Sequence, residues 1–567
     1  MKKNSFFLLL TLLITSGFVS SYFEITKNLE IFNNIYREIN TYYVDPIDPG
    51  ELMHNTIDSM LIRLDPYTKY IPESEVEDFR FQTTGNYGGI GATIRKIDEN
   101  IIIYKPYRGF PADKAGLKMG DILTEIDDTK IKDADVSDVS DLLKGTPGTI
   151  VEVEIERRGV NKRINITREK IHIPSVQYSG ILEQSIGYVK LRKFTKNCTQ
   201  EVKEAMKELE ETNELTGLIL DLRSNPGGLL RESISLTNLF INKDETVVTT
   251  NGKSTEWKKN YTTKYDPTYI DLPIVVLVNS TSASASEIVA GAIQDLDRGV
   301  VVGNTTFGKG LVQQSRKLSY NGRLKVTVAK YYTPSGRCIQ DMKKTKKYND
   351  YLEAEITKEE EERSQFFTRN KRVVYDGGGI DPDIEVNPIE YPDILGKIIR
   401  ENLILKYGNT IEEDFENVPL EKVRVSDKTY KNFVNYIKKQ GFVFQTTDED
   451  RDFLFNTLTL NEMEELEEDL HIQVIEKSLE NLKNKGSNVD YLNESLSLLK
   501  DTILKSKQND IFKHQTIIKK WLNDNLIIRH FYDEGKIKNE IGDDPYIKTA
   551  LEVLNDEEKY KNILRPN

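Results

Sequence analysis

The sequence predicts a multidomain protein of mixed class, in which a unit of short strands with α+β character precedes an α/β domain that contains a parallel sheet. Residues 81–170 alternate strand-like runs with glycines and turn signals, which indicates a compact unit of short strands. Residues 171–390 contain two nearly continuous apolar runs, each followed by a helical pattern, as in a βαβ unit. Residues 24–80 and 391–567 carry apolar side chains at helical spacing, so helical regions flank both.

Length and charge narrow the classes of function. The chain has 567 residues, and at about 100–200 residues per domain this length corresponds to three or four domains. Its formal net charge is −13, whereas a nucleic-acid-binding protein would present a basic face. We therefore expect no nucleic-acid partner.

The first 23 residues have the layout of a secretory signal. Lys2 and Lys3 precede an apolar run from Phe6 to Ile14, and small and polar residues follow. No clean Ala-x-Ala cleavage site follows, so a cleaved signal peptide and an uncleaved membrane anchor both stay open. Either one predicts that the rest of the chain is exported, to the periplasm or to the outer side of the membrane.

The α/β prediction for residues 171–390 rests on two stretches, "TGLILDL" (216–222) and "LPIVVLV" (272–278). Such runs are typical of strands buried on both faces of a parallel sheet. A charged stretch at about 341–372 interrupts the domain and predicts a solvated helix or a mobile insertion. Residues 391–567 are charged and periodic, which predicts a helical C-terminal domain.

A candidate nucleophile follows the second apolar run, in "VNSTSASASEIVAGA" (278–292). The pattern places Ser284 at a strand-to-helix turn, at the carboxyl end of a parallel strand, where α/β sheets bind ligands. A serine there can be raised from the surface as in a nucleophile elbow. It can equally be an ordinary N-cap residue, because serine is common at helix starts. This stretch alone leaves both interpretations open.

The first apolar run leads into "DLRSNPGG" (221–228). Pro226, Gly227 and Gly228 let the backbone turn sharply and present bare N–H groups. An ordinary turn would have the same composition.

Lys309 lies between two glycines in "FGKGLVQQ" (307–314). A lysine can take a proton from a serine only when it is neutral, and burial lowers the pKa of an amine. In a strand, residues 309, 311 and 313 share a face, so Gln313 could reach the amine and fix its direction. The alternative is a surface lysine whose ammonium group reaches the solvent.

Histidine and cysteine are scarce. No histidine lies between His172 and His471, so the stretch that contains Ser284 offers no histidine base for a Ser-His-Asp triad and Lys309 is the best base available to Ser284. No histidine stands at a metal-ligand spacing, and Cys198 and Cys338 are too few for a disulfide framework or a cysteine-based metal site. Whether these two cysteines pair is not determined by the sequence.

Taken together, seven motifs resemble the carboxy-terminal processing peptidases, also called tail-specific proteases. In chain order between about residues 35 and 390 they are "LDPYTKYIP", "GGIGATI", "GLILDLRSNPGG", "SASASEIVAGAIQD", "GNTTFGKGLVQQ", "YYTPSGRCIQ" and "GGGIDPDIEV". The resemblance implies a serine endopeptidase with a Ser-Lys dyad, without metal or cofactor, on a ClpP/crotonase-like core. It also implies that the substrates are exported proteins recognised by their C-terminal ends.

The resemblance assigns roles to individual positions. It implies that Ser284 is the nucleophile, that Lys309 is the general base and that Gln313 orients Lys309. The implied oxyanion hole consists of the Ala285 backbone N–H and a glycine of the turn, Gly227 or Gly228.

The unit at residues 81–170 then resembles a PDZ domain inserted before the protease core. "GNYGGIGATI" is a glycine loop that leads into a strand at about 90–95. In this interpretation Gly89, Ile90 and Gly91 offer N–H groups to a terminal carboxylate, the strand pairs with the peptide, and a helix at about 134–143 forms the other wall of the groove. A simple glycine turn is the alternative.

Some features lie outside the family pattern. Lys144 stands where many relatives carry arginine, which puts in doubt a regulatory contact but not the dyad. The insertion and the C-terminal helices could gate access, bind an adaptor protein or form a homo-oligomer contact, and the sequence does not choose between these roles. The alternative function is a non-catalytic PDZ scaffold that binds protein C-termini, but a relic need not keep Ser284, Lys309 and Gln313 together.

Overall fold

The computed structural model describes residues 2–341, 363–387, 391–411, 418–442 and 511–565, together with Leu479, Lys483 and Leu492. Contacts divide the chain into two units. The first unit comprises Met1–Val76, Leu311–Ala329 and Met342–Glu361, of which 342–361 lie outside the described residues. The second unit comprises Glu77–Gly310, Lys330–Asp341 and Glu362–Asn567.

The first unit begins with two helices, Lys2–Tyr42 and Pro49–Leu61. Its strand Lys69–Ile71 pairs in antiparallel fashion with the start of Arg323–Tyr332, which also pairs with Leu311–Lys317. Residues 311–329 therefore belong with the N-terminal region, although the sequence analysis placed them in the 171–390 domain. In the described part of the chain, no helix is both long and apolar enough to cross a membrane. The signal or anchor in residues 1–23 stays a prediction.

The second unit opens with a small inserted domain, which we define as residues 86–172 and which follows the helix Val76–Thr84. The first and last strands of this domain pair as a two-stranded antiparallel ribbon, and a six-stranded antiparallel sheet with two helices forms the rest. Isoleucine, leucine and valine side chains from the sheet and from the longer helix fill one core. The ribbon is Asn86–Gly89 and Glu169–His172, the sheet strands are Ala92–Ile97, Asn100–Pro106, Ile122–Ile126, Thr129–Lys130, Ile150–Arg157 and Val160–Thr167, and the helices are Pro111–Lys114 and Val136–Leu143.

A second six-stranded sheet forms the centre of this unit. Its first pair is antiparallel and every later pair is parallel, so the predicted βαβ arrangement is present. Three consecutive strands are buried along their whole length, because helices cover the sheet. In sheet order the strands are Val176–Leu182, Ile186–Leu191, Gly217–Asp221, Ile274–Val278, Val300–Gly303 and Ile384–Glu385, and the helices are Cys198–Thr212, Leu230–Thr237 and Ala285–Asp295. That this core is ClpP/crotonase-like stays a prediction.

Shorter strands surround the sheet. Thr246–Asn251 pairs with Lys259–Thr262 and with the last three residues of Arg323–Tyr332, and Gln365–Phe367 pairs with Val373–Tyr375. The predicted insertion at 341–372 lies largely outside the described residues.

Helices from the C-terminal region pack directly on the central sheet. Tyr546, Ile547, Ala550 and Val553, which lie on the helix Pro545–Leu554, enter the same apolar core as the sheet residues. The acidic stretch within 443–510 lies outside the described residues apart from three single positions. The described C-terminal helices are Asp393–Arg400, Leu403–Gly408, Asp427–Lys439, Gln515–Glu540, Pro545–Leu554 and Glu557–Ile563.

Candidate active site

Ser284 lies where the sequence predicted it, between a buried strand and a buried helix. The strand Ile274–Val278 ends six residues earlier, and the helix Ala285–Asp295 begins directly after Ser284. Its backbone has φ 57° and ψ −111°, a conformation that costs a non-glycine residue about 1–3 kcal/mol. The side chain is half-buried while the helix that follows is buried throughout, so the strained turn raises this serine from the core.

A fully buried carboxylate, Glu287, holds this turn. It accepts the N–H of Ser284 at 2.6 Å and the N–H of Lys309 at 3.0 Å, both at Oε2. At Oε1 it accepts the N–H of Gly308 and the hydroxyl of Thr306, each at 2.6 Å. Burial raises the pKa of Glu287 above its ordinary value, although these hydrogen bonds oppose the shift. One side chain thus fixes the backbone of both predicted catalytic residues.

Sequence reasoning missed Glu287, although a signal was present. Ser284 and Glu287 form the Ser-x-x-Glu pattern of a capping box, which would have identified the glutamate as the partner of the helix start.

Tyr331 ties the same two residues from the carbonyl side. Its buried hydroxyl lies 2.6 Å from the carbonyl oxygen of Lys309 and 3.2 Å from that of Ser284, and it can donate to either. Tyr331 is the first residue of the motif "YYTPSGRCIQ", but the sequence analysis gave it no role.

Lys309 is half-buried in the loop before the strand Leu311–Lys317. The prediction that residues 309, 311 and 313 share a strand face is therefore wrong, because the strand begins only at Leu311. The flanking glycines are needed for close packing: a Cβ on Gly308 would lie 2.8 Å from the Cβ of Asp341, and a Cβ on Gly310 would lie 2.7 Å from the backbone nitrogen of Gln340. The segment after Tyr331 thus packs tightly against the lysine loop.

Gln313 belongs to the first unit, whereas Lys309 belongs to the second. Within its own unit the Gln313 amide donates to the Thr327 hydroxyl at 3.3 Å. Its predicted role in orienting Lys309 stays a prediction.

The glycine turn that follows Asp221 packs directly against the serine. A Cβ on Gly227 would lie 2.8 Å from both the Ser284 Cβ and the Ala285 nitrogen, so no side chain fits there. The Gly227 N–H donates to the Asn225 side chain at 2.9 Å. In the described part of the chain, the N–H groups of Gly228 and Ala285 donate no hydrogen bond. The N–H groups of the two glycines therefore differ in their hydrogen bonding, and which of them completes an oxyanion hole stays a prediction.

A buried ionic network supports the start of this turn. Asp221 is fully buried and accepts hydrogen bonds from the Arg223 guanidinium at 2.7 and 3.0 Å, the Tyr188 hydroxyl at 2.7 Å and the Lys190 amine at 3.2 Å. Burial alone would raise the pKa of Asp221, but the charges of Arg223 and Lys190 outweigh it and hold the pKa below its ordinary value. Sequence reasoning used this stretch only for its glycines and missed the network.

In the inserted domain, Gly89 ends its strand while Ile90 and Gly91 connect to a strand that begins at Ala92, two residues later than predicted. The helix Val136–Leu143 supplies core residues beside this strand, and its role as the second wall of a groove stays a prediction. The carbonyls of the two loop residues accept the N–H groups of Ala112 at 2.7 Å and of Tyr107 at 2.9 Å. Hydrogen bonds to its carbonyl groups therefore fix the position of the glycine loop.

Tyr87 covers this loop, and sequence reasoning missed it. A Cβ on Gly89 would lie 2.7 Å from the Tyr87 ring. Burial raises the pKa of Tyr87, and the backbone N–H groups of Gly91 and Ala92 act against that shift through hydrogen bonding to the phenolic oxygen. One of these two N–H groups, that of Gly91, is among those that the sequence analysis reserved for a peptide carboxylate.

Three family descriptions match the chain. "Peptidase family S41" matches residues 185–347, which include Ser284 and Lys309. "PDZ domain" matches residues 102–157, beginning after the loop at Gly89–Gly91. "Probable PDZ-protease, C-terminal helical domain" matches residues 471–554.

Individual proteins are similar over long stretches. A carboxy-terminal-processing protease of Bartonella bacilliformis is 40% identical over 323 residues, which cover 55% of this chain and 73% of that protein. A probable CtpA-like serine protease of Staphylococcus aureus (strain bovine RF122 / ET3-1) is 30% identical over 468 residues, 80% of this chain and 85% of that protein. Among solved structures, a photosystem II D1 C-terminal processing protease is 28% identical with a TM-score of 0.35, covering 66% of this chain and 96% of that one.

These matches confirm the resemblance that the seven motifs predicted, and the chain belongs to the carboxy-terminal-processing serine proteases of peptidase family S41, with a PDZ domain beside its protease core.

Proposed function

We propose that this protein hydrolyses peptide bonds with Ser284 as nucleophile and Lys309 as general base. The observation that carries the proposal is the shared support of these two residues: Glu287 accepts both of their N–H groups, and the Tyr331 hydroxyl lies at both of their carbonyl oxygens. Chain segments that are held by the same two side chains keep a fixed relative position, which a nucleophile and its base require.

In the first half of the reaction, the Ser284 hydroxyl oxygen attacks the carbonyl carbon of the scissile bond and its proton passes to the neutral Lys309 amine. The carbonyl oxygen becomes an oxyanion. As the C–N bond breaks, the Lys309 ammonium returns the proton to the leaving amine, and an acyl-enzyme remains. A water molecule then attacks the ester carbon and gives a proton to Lys309. As the bond from carbon to Ser284 Oγ breaks, the Lys309 ammonium returns this proton to Oγ, which releases the second peptide fragment and restores Ser284 and neutral Lys309.

The oxyanion hole of this proposal consists of the N–H groups of Ala285 and Gly228. Ala285 opens the buried helix, whose N-terminus favours a developing negative charge. Gly228 is favoured over Gly227, because the Gly227 N–H is already donated to Asn225. Removing one such donor typically lowers kcat by about 10²–10³-fold.

Substrates are proteins and peptides with an accessible C-terminus. The loop at Gly89–Gly91 offers N–H groups to the terminal carboxylate, and the strand Ala92–Ile97 adds the peptide as a further strand. Export of the protein, through the signal or anchor in residues 1–23, is part of the same proposal and would bring it into contact with exported substrates.

The proposal is tested by incubating the purified protein with an unfolded substrate that has either a free or an amidated C-terminus. We expect cleavage by the wild type that depends on the free carboxylate, and no cleavage by the Ser284→Ala or Lys309→Ala variants at unchanged melting temperature. Labelling by a serine-reactive acylating probe should be lost in the same variants. Cleavage or labelling that survives in Ser284→Ala would refute the assignment of the nucleophile.

A further inference from the structure

The C-terminal connector, which we define as residues 531–546, contacts the charged network of Asp221 and Arg223. This network adjoins the oxyanion turn, which we define as residues 224–228. The Arg223 guanidinium contacts Asp544 at 2.8 Å, in addition to its bonds with Asp221. The ring of Tyr546 lies beneath the same guanidinium, 4.9 Å from centroid to Cζ. The side chains of Arg223 and Asp544 are only 12% and 18% exposed, so this pair is little screened by solvent.

Charge balance shows what Asp544 adds. Without it, Arg223 and Lys190 place two positive charges against the single carboxylate of Asp221. Asp544 is the second anion, and it accepts from Nη1 of the guanidinium, whereas Asp221 accepts from Nε and Nη2. Arg223 is therefore held between a residue of the central sheet and a residue of the C-terminal region.

The position of Arg223 matters because the oxyanion turn begins at the next residue. Ser224 has φ 59°, a strained value for serine, and its N–H donates to Asn279 at 2.9 Å. The Asn225 carbonyl accepts the N–H of Ala283 at 3.0 Å and thereby fixes the turn to the serine loop. A displaced Arg223 would shift this strained turn, and with it the N–H of Gly228.

The other end of the connector is held by the PDZ domain. Lys105 contacts Asp533 at 2.6 Å, Arg108 contacts Glu534 at 3.5 Å, and the Tyr532 hydroxyl donates to Asp113. Tyr532 interrupts its helix with φ 59° and ψ −165°. A tyrosine keeps such a conformation only when the surrounding contacts hold it in place, so the contacts with the PDZ domain stabilise a strained backbone at Tyr532.

We propose that the connector is a positioning element for catalysis, in which Asp544 acts through Arg223 to hold the oxyanion turn while the PDZ domain holds the connector. This inference rests on the proposed function, because it assumes that the turn stabilises the oxyanion. It assigns a catalytic task to a segment outside the matched peptidase region, which ends at residue 347.

The first test is Asp544→Asn in the full-length protein. Asp544 also accepts the N–H groups of Tyr546 at 2.9 Å and Ile547 at 3.3 Å as a helix N-cap, and asparagine caps helices equally well. The substitution thus removes the charge and keeps the cap. With a short chromogenic peptide amide as substrate, we expect kcat to fall about tenfold or more with little change in KM, beyond the lower melting temperature that loss of a little-exposed ion pair causes.

Two further variants make this result decisive. Asp544→Glu should recover most of the lost kcat, and Glu558→Gln, at an exposed carboxylate outside the connector, should leave kcat unchanged. An Asp544→Asn variant with wild-type kcat would overturn the inference, as would a loss that appears only as a lower melting temperature. Failure of the proposed function is distinguishable, because the wild type itself would then neither cleave the substrate nor bind the acylating probe at Ser284.

The PDZ end is tested by Asp533→Asn alone and combined with Asp544→Asn. If both act through the connector, Asp533→Asn lowers kcat and the two losses do not multiply in the double variant. Wild-type kcat in Asp533→Asn, or losses that multiply as independent effects, would remove the PDZ domain from the proposal.

Discussion

Replacing Glu287 with glutamine tests the support that the two catalytic residues share. The carboxylate accepts four donors: the N–H groups of Ser284 and Lys309 at Oε2, and the Gly308 N–H and the Thr306 hydroxyl at Oε1. Glutamine has one oxygen and one NH₂ group. The better orientation keeps the oxygen on Ser284 and Lys309, because the threonine hydroxyl can rotate to accept from the amide. The Gly308 N–H then faces another donor.

The magnitude follows from this geometry. One unsatisfied buried N–H costs about 1–3 kcal/mol, and each remaining hydrogen bond loses about 1 kcal/mol when its acceptor is no longer charged. Glutamine also avoids burying a charge, a cost that shows in the raised pKa of Glu287. This relief offsets part of the loss, so we expect the free energy of unfolding to fall by about 2 kcal/mol.

Two measurements check the prediction. Urea unfolding followed by intrinsic fluorescence reports the stability, and the rate of labelling by a serine-reactive acylating probe reports the geometry at Ser284. We expect labelling to slow about tenfold, since a shift of a fraction of an ångström between Ser284 and Lys309 is enough for that loss. Glu256→Gln, at an exposed glutamate, is the matched control. Unchanged stability and labelling in Glu287→Gln would refute the reasoning.

Three further predictions follow. Tyr331→Phe removes the hydroxyl between the Ser284 and Lys309 carbonyls and should cost about 1 kcal/mol of stability and lower kcat, in steady-state assays with the chromogenic amide. Tyr87→Phe removes an oxygen that competes for the loop N–H groups, so the affinity for a peptide with a free C-terminus should rise about fivefold. Fluorescence titration measures this affinity, and a lower affinity would mean that the hydroxyl binds the carboxylate. The pKa of Asp221 is lowered in the folded protein, so its contribution to stability is complete above about pH 4 and is lost as the pH falls below that value. The difference in melting temperature between the wild type and Asp221→Asn should therefore disappear in acid. A difference that stays constant with pH would contradict this assignment.

Much of the fold was readable because its signals are local. Two apolar runs indicated buried parallel strands, and both are buried along their length in the central sheet. The residues that follow them indicated turns, and Ser284 and Gly227 lie on those turns with positive φ. The error at Lys309 has a local cause as well: a strand-like pattern runs through residues 309–313, but contacts of the glycines with residues 340 and 341 keep Lys309 in a loop.

The sequence by itself determined which residue types could act in catalysis and on which turns they lie. A few neighbouring residues are enough to encode the end of a strand, the start of a helix or a glycine with positive φ. Only the tertiary structure decided what holds those turns. Glu287 reaches Lys309, Tyr331 reaches Ser284 and Asp544 reaches Arg223 across large distances along the chain. Such partners depend on which segments the sheet topology brings together, and no local pattern records that choice.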